Sequence, residues 1–261
     1  MRNIWTIAKR EYDHYFISPI AYVVAFMMLL TLGVIFAINL YYYVQNAFQS
    51  SGDAPDISPI MGAFGFLLVL SIPALTMRLL ADEARMGTLE LLLTAPVRDF
   101  ELVAGKWLGG LLFILSILAV TLIYPIILNG IVIGSVTILP PLVTPGIDRQ
   151  LMFSSYLGVI LTAAAFLALG VGISAVFTNQ IAAFFVTLSV FVFLWWLIGF
   201  PASVMQQETA RNIFQYLNMQ THFYDAFNQG NINITDIVYY VSLIALGLFT
   251  GTTAVEIRRW R

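Results

Sequence analysis

Cysteine is absent from the 261 residues, which removes disulfides, thiolate metal sites and a cysteine nucleophile and leaves redox compartment unspecified. Charge is scarce. Only 10% of residues are Asp, Glu, Lys or Arg, where a soluble domain carries roughly 25%. The net charge of −2 offers no basic footprint for nucleic acid. Histidine occurs twice, at His14 and His222, which the predicted topology puts near opposite faces of a membrane, so the two cannot share a metal. No His-Glu-x-x-His is present. Nor is there a Walker A sequence: Trp107 follows Gly105-Lys106 where Ser or Thr is needed, and Phe100 stands where a glycine is needed. ATP hydrolysis by that route is excluded. Residues 21–44, 108–133 and 154–200 hold no Asp, Glu, Lys, Arg or His, which disfavours an intramembrane enzyme and a proton-coupled carrier. No internal repeat and no separate soluble domain emerge, so residues 1–261 are expected to form one transmembrane domain. A cleavable signal peptide is not expected, because charges and aromatics run from Arg2 to Phe16 before an apolar run too long for one.

Apolar residues fill the space that charge leaves. They make up 60% of the chain, with a mean hydropathy of +0.88, and predict an all-α polytopic membrane protein. Six spans are read at about 20–44, 60–80, 107–133, 154–177, 181–200 and 236–256, each near the roughly 20 residues that cross about 30 Å of hydrocarbon. Residues 3–17 read as an interfacial helix with Ile4, Ala8, Tyr12 and Tyr15 on one face, Trp5 and Phe16 beside it, and Lys9, Arg10 and Asp13 away from it. Ser18-Pro19 separates it from the first span. Pro73 falls in the second span and Tyr124-Pro125 in the third, a kink or an end. Thr178-Asn179-Gln180 makes a tight hairpin of the fourth and fifth. With both termini inside, the inner segments carry ten of the twelve Lys and Arg and the outer ones only Arg149 and Arg211, which is the positive-inside bias. Outer residues 201–235 mix aromatics with amides and predict short helices dipping into the outer interface.

The densest charge lies on the inner stretch from Arg78 to Lys106: four basic residues and five acidic ones, Asp82, Glu83, Glu90, Asp99 and Glu101. Thr88 can cap a helix whose dipole favours Glu90 in the first turn. Leu89, Leu92 and Leu93 would form its apolar face, and Pro96 its stop. Gly87 either lies inside a longer helix, bringing Glu83 and Glu90 near one face, or breaks it so that Thr88 starts a new turn. The bland alternative is a solvated loop that only helps to set topology.

Met77-Arg78-Leu79-Leu80-Ala81-Asp82-Glu83-Ala84-Arg85-Met86-Gly87-Thr88-Leu89-Glu90-Leu91-Leu92-Leu93-Thr94-Ala95-Pro96-Val97, with Gly105-Lys106 following, closely resembles the signature of ABC-2 type transporter permeases. Lys9-Arg10-Glu11 with Tyr15 to Tyr22, and His222-Phe223 with Gly230 and Asp236 to Tyr240, are similar to the gliding-motility-associated branch of that family, departing from it at Gln229 and Thr235. The resemblance implies the membrane subunit of an exporter, working as a pair of permeases, homomeric or heteromeric, with two separate ATPase subunits that bind ATP and Mg. It implies a coupling helix at 81–97, with Glu83, Arg85, Gly87, Thr88, Leu89, Glu90, Leu92 and Pro96 meeting the ATPase. It implies re-entrant outer helices at 201–235 acting as a gate, to which Phe214, His222 and Phe223 are assigned. No catalytic, cofactor or metal site is expected in this chain. The expected location is the bacterial cytoplasmic membrane, with membrane lipid and an exported-domain accessory protein as further partners. Two rivals stand beside this reading: a non-transporting assembly subunit, and a secondary carrier or channel.

Smaller features receive plain structural readings. Gly105-x-x-x-Gly109 and Gly247-x-x-x-Gly251 suit close helix packing. Trp195-Trp196 and Tyr41-Tyr42-Tyr43 read as interface anchors. His222 reads as a hydrogen-bonded surface group, and Asn233-Ile234-Thr235 as a chance glycosylation match.

Overall fold

The computed structural model describes residues 2–47, 56–87, 97–132 and 148–259. Helices account for almost all of them, and no strand occurs among them. In chain order they are α1 (Arg2–Tyr15), α2 (Pro19–Ala47), α3 (Ser58–Thr76), α4 (Ala81–Met86), α5 (Asp99–Thr121), α6 (Ile123–Val132), α7 (Arg149–Val176), α8 (Gln180–Trp195), α9 (Phe200–Val204), α10 (Glu208–Leu217) and α11 (Ile234–Arg259). Helical turns also fill 219–229. Six stretches are long and apolar enough to cross a membrane: Pro19–Tyr43, Ser58–Glu83, Asp99–Leu128, Arg149–Val176, Gln180–Val204 and Ile234–Arg259. They follow the order expected from hydropathy.

Helix α7 is the axis of the bundle. Its apolar window is 72% buried, against 17% for that of α2. Small residues, among them Gly158, Ala164, Ala168 and Gly172, let neighbours approach its backbone. A Cβ on Gly247 would lie 2.4 Å from the carbonyl carbon of Ala168, and one on Gly251 3.3 Å from the Cα of Gly172. The Gly247-x-x-x-Gly251 pair therefore seats α11 on α7 inside the subunit. Gly105 and Gly109 likewise face Ile7, Ala8 and Glu11, so this second pair seats α1 on α5.

Several boundaries differ from expectation for local reasons. The third span begins at Asp99 and not at 107. Glu101 accepts the backbone N–H of Arg98 at 3.2 Å, a first-turn cap that lets the helix start within charged sequence. The break expected at Tyr124-Pro125 falls at Leu122, between α5 and α6. Pro125 has no N–H to give the carbonyl of Thr121 and its ring crowds that carbonyl, so the ladder fails one turn before the proline. The hairpin after α7 forms as expected. The Asn179 side chain accepts from the N–H groups of Ile181 and Ala182 and starts α8. A single helix over 81–97 does not form: α4 stops at Gly87, whose φ of 71° is the left-handed geometry that ends helices. Trp195 is no interface anchor. It is 1% exposed and packs on Phe166, Phe223 and Tyr224.

Charged contacts gather at one end of the bundle. Arg259 reaches Asp99 at 3.3 Å, Asn3 donates to Glu101 at 3.1 Å, and Arg258 donates to the carbonyl of Val176 at 3.1 Å. Helix α1 and the last turn of α11 thus share an end, as an even number of spans requires.

Candidate functional site

At that charged end three separate parts of the sequence meet on one ammonium group. Lys106, on α5, is 1% exposed. It donates to Glu83 Oε1 of α4 at 2.8 Å and to Glu11 Oε1 of α1 at 3.0 Å. The Arg10 guanidinium adds a bond to the same Glu11 oxygen at 3.0 Å and lies 3.8 Å from Glu83. A lysine inside a span is costly unless carboxylates neutralise it, and here two do. Burial alone would push the Glu11 carboxyl up. The charge and hydrogen bond of Lys106, with Arg10 behind them, outweigh that and hold it below the ordinary value of 4.5. The bridge is framed by packing: the Tyr12 and Ser116 hydroxyls are 2.9 Å apart, and Tyr15 stacks on Phe113 at 4.8 Å. The small faces of Gly105 and Gly109 admit α1 closely enough for Glu11 to reach the lysine.

Sequence reasoning placed Glu83 at this end as a partner-facing carboxylate; the structure turns one of its oxygens inward onto Lys106. Arg85 is exposed and sits 3.4 Å from Asp82. Gly87 supplies the left-handed turn. Thr88, Leu89, Glu90, Leu92 and Pro96 lie outside the described residues. Glu11 and Lys106 were missed as site residues, although the amphipathic pattern of α1 held the signal. Glu11 falls three residues after Ala8 and four before Tyr15, on the buried face. Trp5 and Phe16, read beside that face, are exposed.

The opposite end carries a second polar cluster. Residues 219–229 fold into the bundle between α3 and α7. A Cβ on Gly65 would meet the Phe223 ring at 2.7 Å, and one on Gly158 the Cβ of Phe227 at 2.5 Å. Hydrogen bonds fasten this insertion: Tyr224 to the carbonyl of Gly62 at 2.8 Å, and Ser58 with Asn228 in both directions at 2.9 and 3.1 Å. His222, expected at the surface, is buried. Its Nδ1 lies 2.6 Å from Asp236 Oδ1 and its Nε2 2.7 Å from the carbonyl of Tyr216. A carbonyl only accepts, so Nε2 is the donor to Tyr216, and Nδ1 faces the Asp236 carboxyl. Asn233 donates to the other Asp236 oxygen at 3.0 Å, and Tyr239 stacks on the imidazole at 4.1 Å. His222, Phe223 and Asp236 are therefore brought together. Phe214 is half-buried on α10 and makes none of these ring contacts. Ionisable groups do enter the spanning helices: Lys106 lies inside the third span, whose start was read at 107, and Asp236 stands at the start of the last span, as read; each is paired.

No curated protein matches the chain. The sequence profile described as ABC-2 family transporter protein matches residues 5–238, a stretch that takes in Glu11, Glu83, Lys106, His222 and Asp236 but only the first turn of the last helix. With six spanning helices in an all-α bundle, the chain is a multi-pass membrane protein and belongs to the ABC-2 family of transporters, as a permease subunit.

Proposed function

We propose that this permease works as half of an exporter driven by separate ATPase subunits that bind ATP and Mg, and that its bridge end is the cytoplasmic end where those subunits dock. The observation that carries the reading is the Glu11–Lys106–Glu83 bridge, because it ties the start of the charged segment to the interfacial helix and to a spanning helix at once. A push on α4 then moves α1 and α5 as one body. Arg85, Gly87, Thr88, Leu89, Glu90, Leu92 and Pro96 form the docking face, while Glu83 transmits the movement. His222 and Phe223, with Phe214 nearby in sequence, close the external side. The inner location follows from the ten-to-two bias of Lys and Arg. Few charges within the spans suit an amphiphilic or lipid-linked cargo, passed at the contact between two permease subunits.

Glu90→Lys tests the docking face. A basic groove on the ATPase pairs with a carboxylate and rejects its reversal. Insertion and expression of the variant should match wild type, while co-purification of the ATPase weakens or hydrolysis runs uncoupled from transport. Leu92→Ala should act in the same direction, more mildly. Wild-type complex and coupled transport in Glu90→Lys would leave only a topology-setting loop.

A further inference from the structure

Beside the bridge lies a cavity of about 660 Å³, within the roughly 300–1,000 Å³ range of small-ligand sites. It opens where α1 turns into α2 and meets the end of α3. Its charged lining nearly cancels internally. Lys106, Glu11, Glu83 and Arg10 are spent on one another, and Asp82 pairs with Arg85. Two lining charges of opposite sign remain, both exposed. Among the described residues Arg78 has only the Ser18 hydroxyl at 3.5 Å, and Asp13 has no ion pair. Tyr15 also lines the cavity, and its buried hydroxyl has no hydrogen-bond partner among the described residues. The first turn of α2 also borders it through Ile20 and Ala21, and a helix start favours an anion. His14 and Ser18 also line it, and the remaining walls are apolar. Leu75 and Leu79 form the floor, and Ile17, 76% exposed, forms the open edge.

A cation and an anion without an ion pair among the described residues, beside an exposed apolar edge, match an amphiphile whose head carries both signs. We propose that this cavity seats a membrane phospholipid bearing a phosphate and a primary ammonium, an ethanolamine-type lipid of the leaflet at the bridge end. The phosphate lies against Arg78 and the start of α2, as guanidinium and phosphate geometry favours. The ammonium donates to Asp13. The acyl chains leave over Ile17. A doubly anionic head is disfavoured, because four carboxylates line the site against the cations of Arg10, Arg78 and Lys106. This goes beyond transport, since binding is read on the permease alone.

The test uses the full chain, purified and delipidated in detergent, with native mass spectrometry counting retained lipid. Dioleoyl phosphatidylethanolamine and dioleoyl phosphatidylglycerol are added separately, with inorganic phosphate as competitor. The ethanolamine lipid should be retained preferentially, and phosphate should not displace it. Arg78→Gln should weaken retention about tenfold, the scale of one lost charged hydrogen bond. Asp13→Asn should abolish the preference between heads while phosphate-dependent retention persists. Both side chains are exposed and outside the bridge, so each variant should melt as wild type does. Equal retention of the two lipids by wild type, retention untouched by both substitutions, or displacement by inorganic phosphate would overturn the proposal.

Discussion

Lys106 concentrates more of the energetics than any other single side chain at the bridge end. Removing one member of a buried ion cluster strands the others, a loss of about 3–5 kcal/mol. Lys106→Met should therefore lower the detergent melting temperature sharply, since Glu11 and Glu83 then keep only the exposed Arg10 between them as a cation. Neutralising the carboxylates as well should restore most of the loss, because whole buried clusters are often replaceable at little cost. The triple variant Glu11→Gln, Glu83→Gln, Lys106→Met should thus be markedly more stable than Lys106→Met alone. Equal melting of single and triple variants would mean that the bridge contributes nothing to the fold. The residues of the bridge were individually visible in the sequence, yet their meeting was not. Glu11, Glu83 and Lys106 are up to 95 positions apart, and no local periodicity encodes which of fourteen acidic residues a lysine will reach.

Among the elements, α1 and the 219–229 insertion distinguish this bundle from a plain set of spans. Both depend on glycines that leave room for a neighbour. At Gly109 an added Cβ would sit 2.7 Å from the Cβ of Glu11 and 2.9 Å from the carbonyl oxygen of Ala8. Gly109→Val should therefore lift α1 off α5 and pull Glu11 from Lys106 while leaving the spanning helices in place. Amide hydrogen exchange checks it: faster exchange is expected across 4–15 and unchanged exchange in α7. Uniform protection would show that α1 is held by other means. Helix existence and order were legible here because runs of apolar residues without charge leave few alternatives. Ends were less so. Hydropathy stopped the third span at 107 because it reads Lys106 as a cost, whereas two carboxylates cancel that cost in the fold. Trp195 read as an anchor because Trp often sits at interfaces, whereas the inserted Phe223 and Tyr224 cover it. His222 read as a surface group because its partner Asp236 is fourteen residues away.

At the scale of the molecule, the two polar clusters occupy opposite ends of one close-packed bundle, with α7 between them. The proposed orientation, read from the charge bias, puts the bridge end in the cytoplasm, and the cysteine-free sequence makes that simple to check. Asp148→Cys, at the exposed start of α7, should react with a membrane-impermeant maleimide on intact cells, and Met86→Cys, exposed at the end of α4, should not. The reverse pattern would invert the orientation and with it the proposed docking face.

The claim that ties both ends together is that the Glu11–Lys106–Glu83 bridge carries ATP-driven movement from the docking face to the cap. A spin label on Val204→Cys, exposed at the end of α9 beside the cap, reads this most directly in the complex with the ATPase. Trapping with ATP and vanadate should change the label's spectrum when the bridge is intact. In the triple variant the ATPase should still bind and hydrolyse ATP, yet the spectrum should stay as it was without nucleotide. An identical spectral response with and without the bridge would contradict the account.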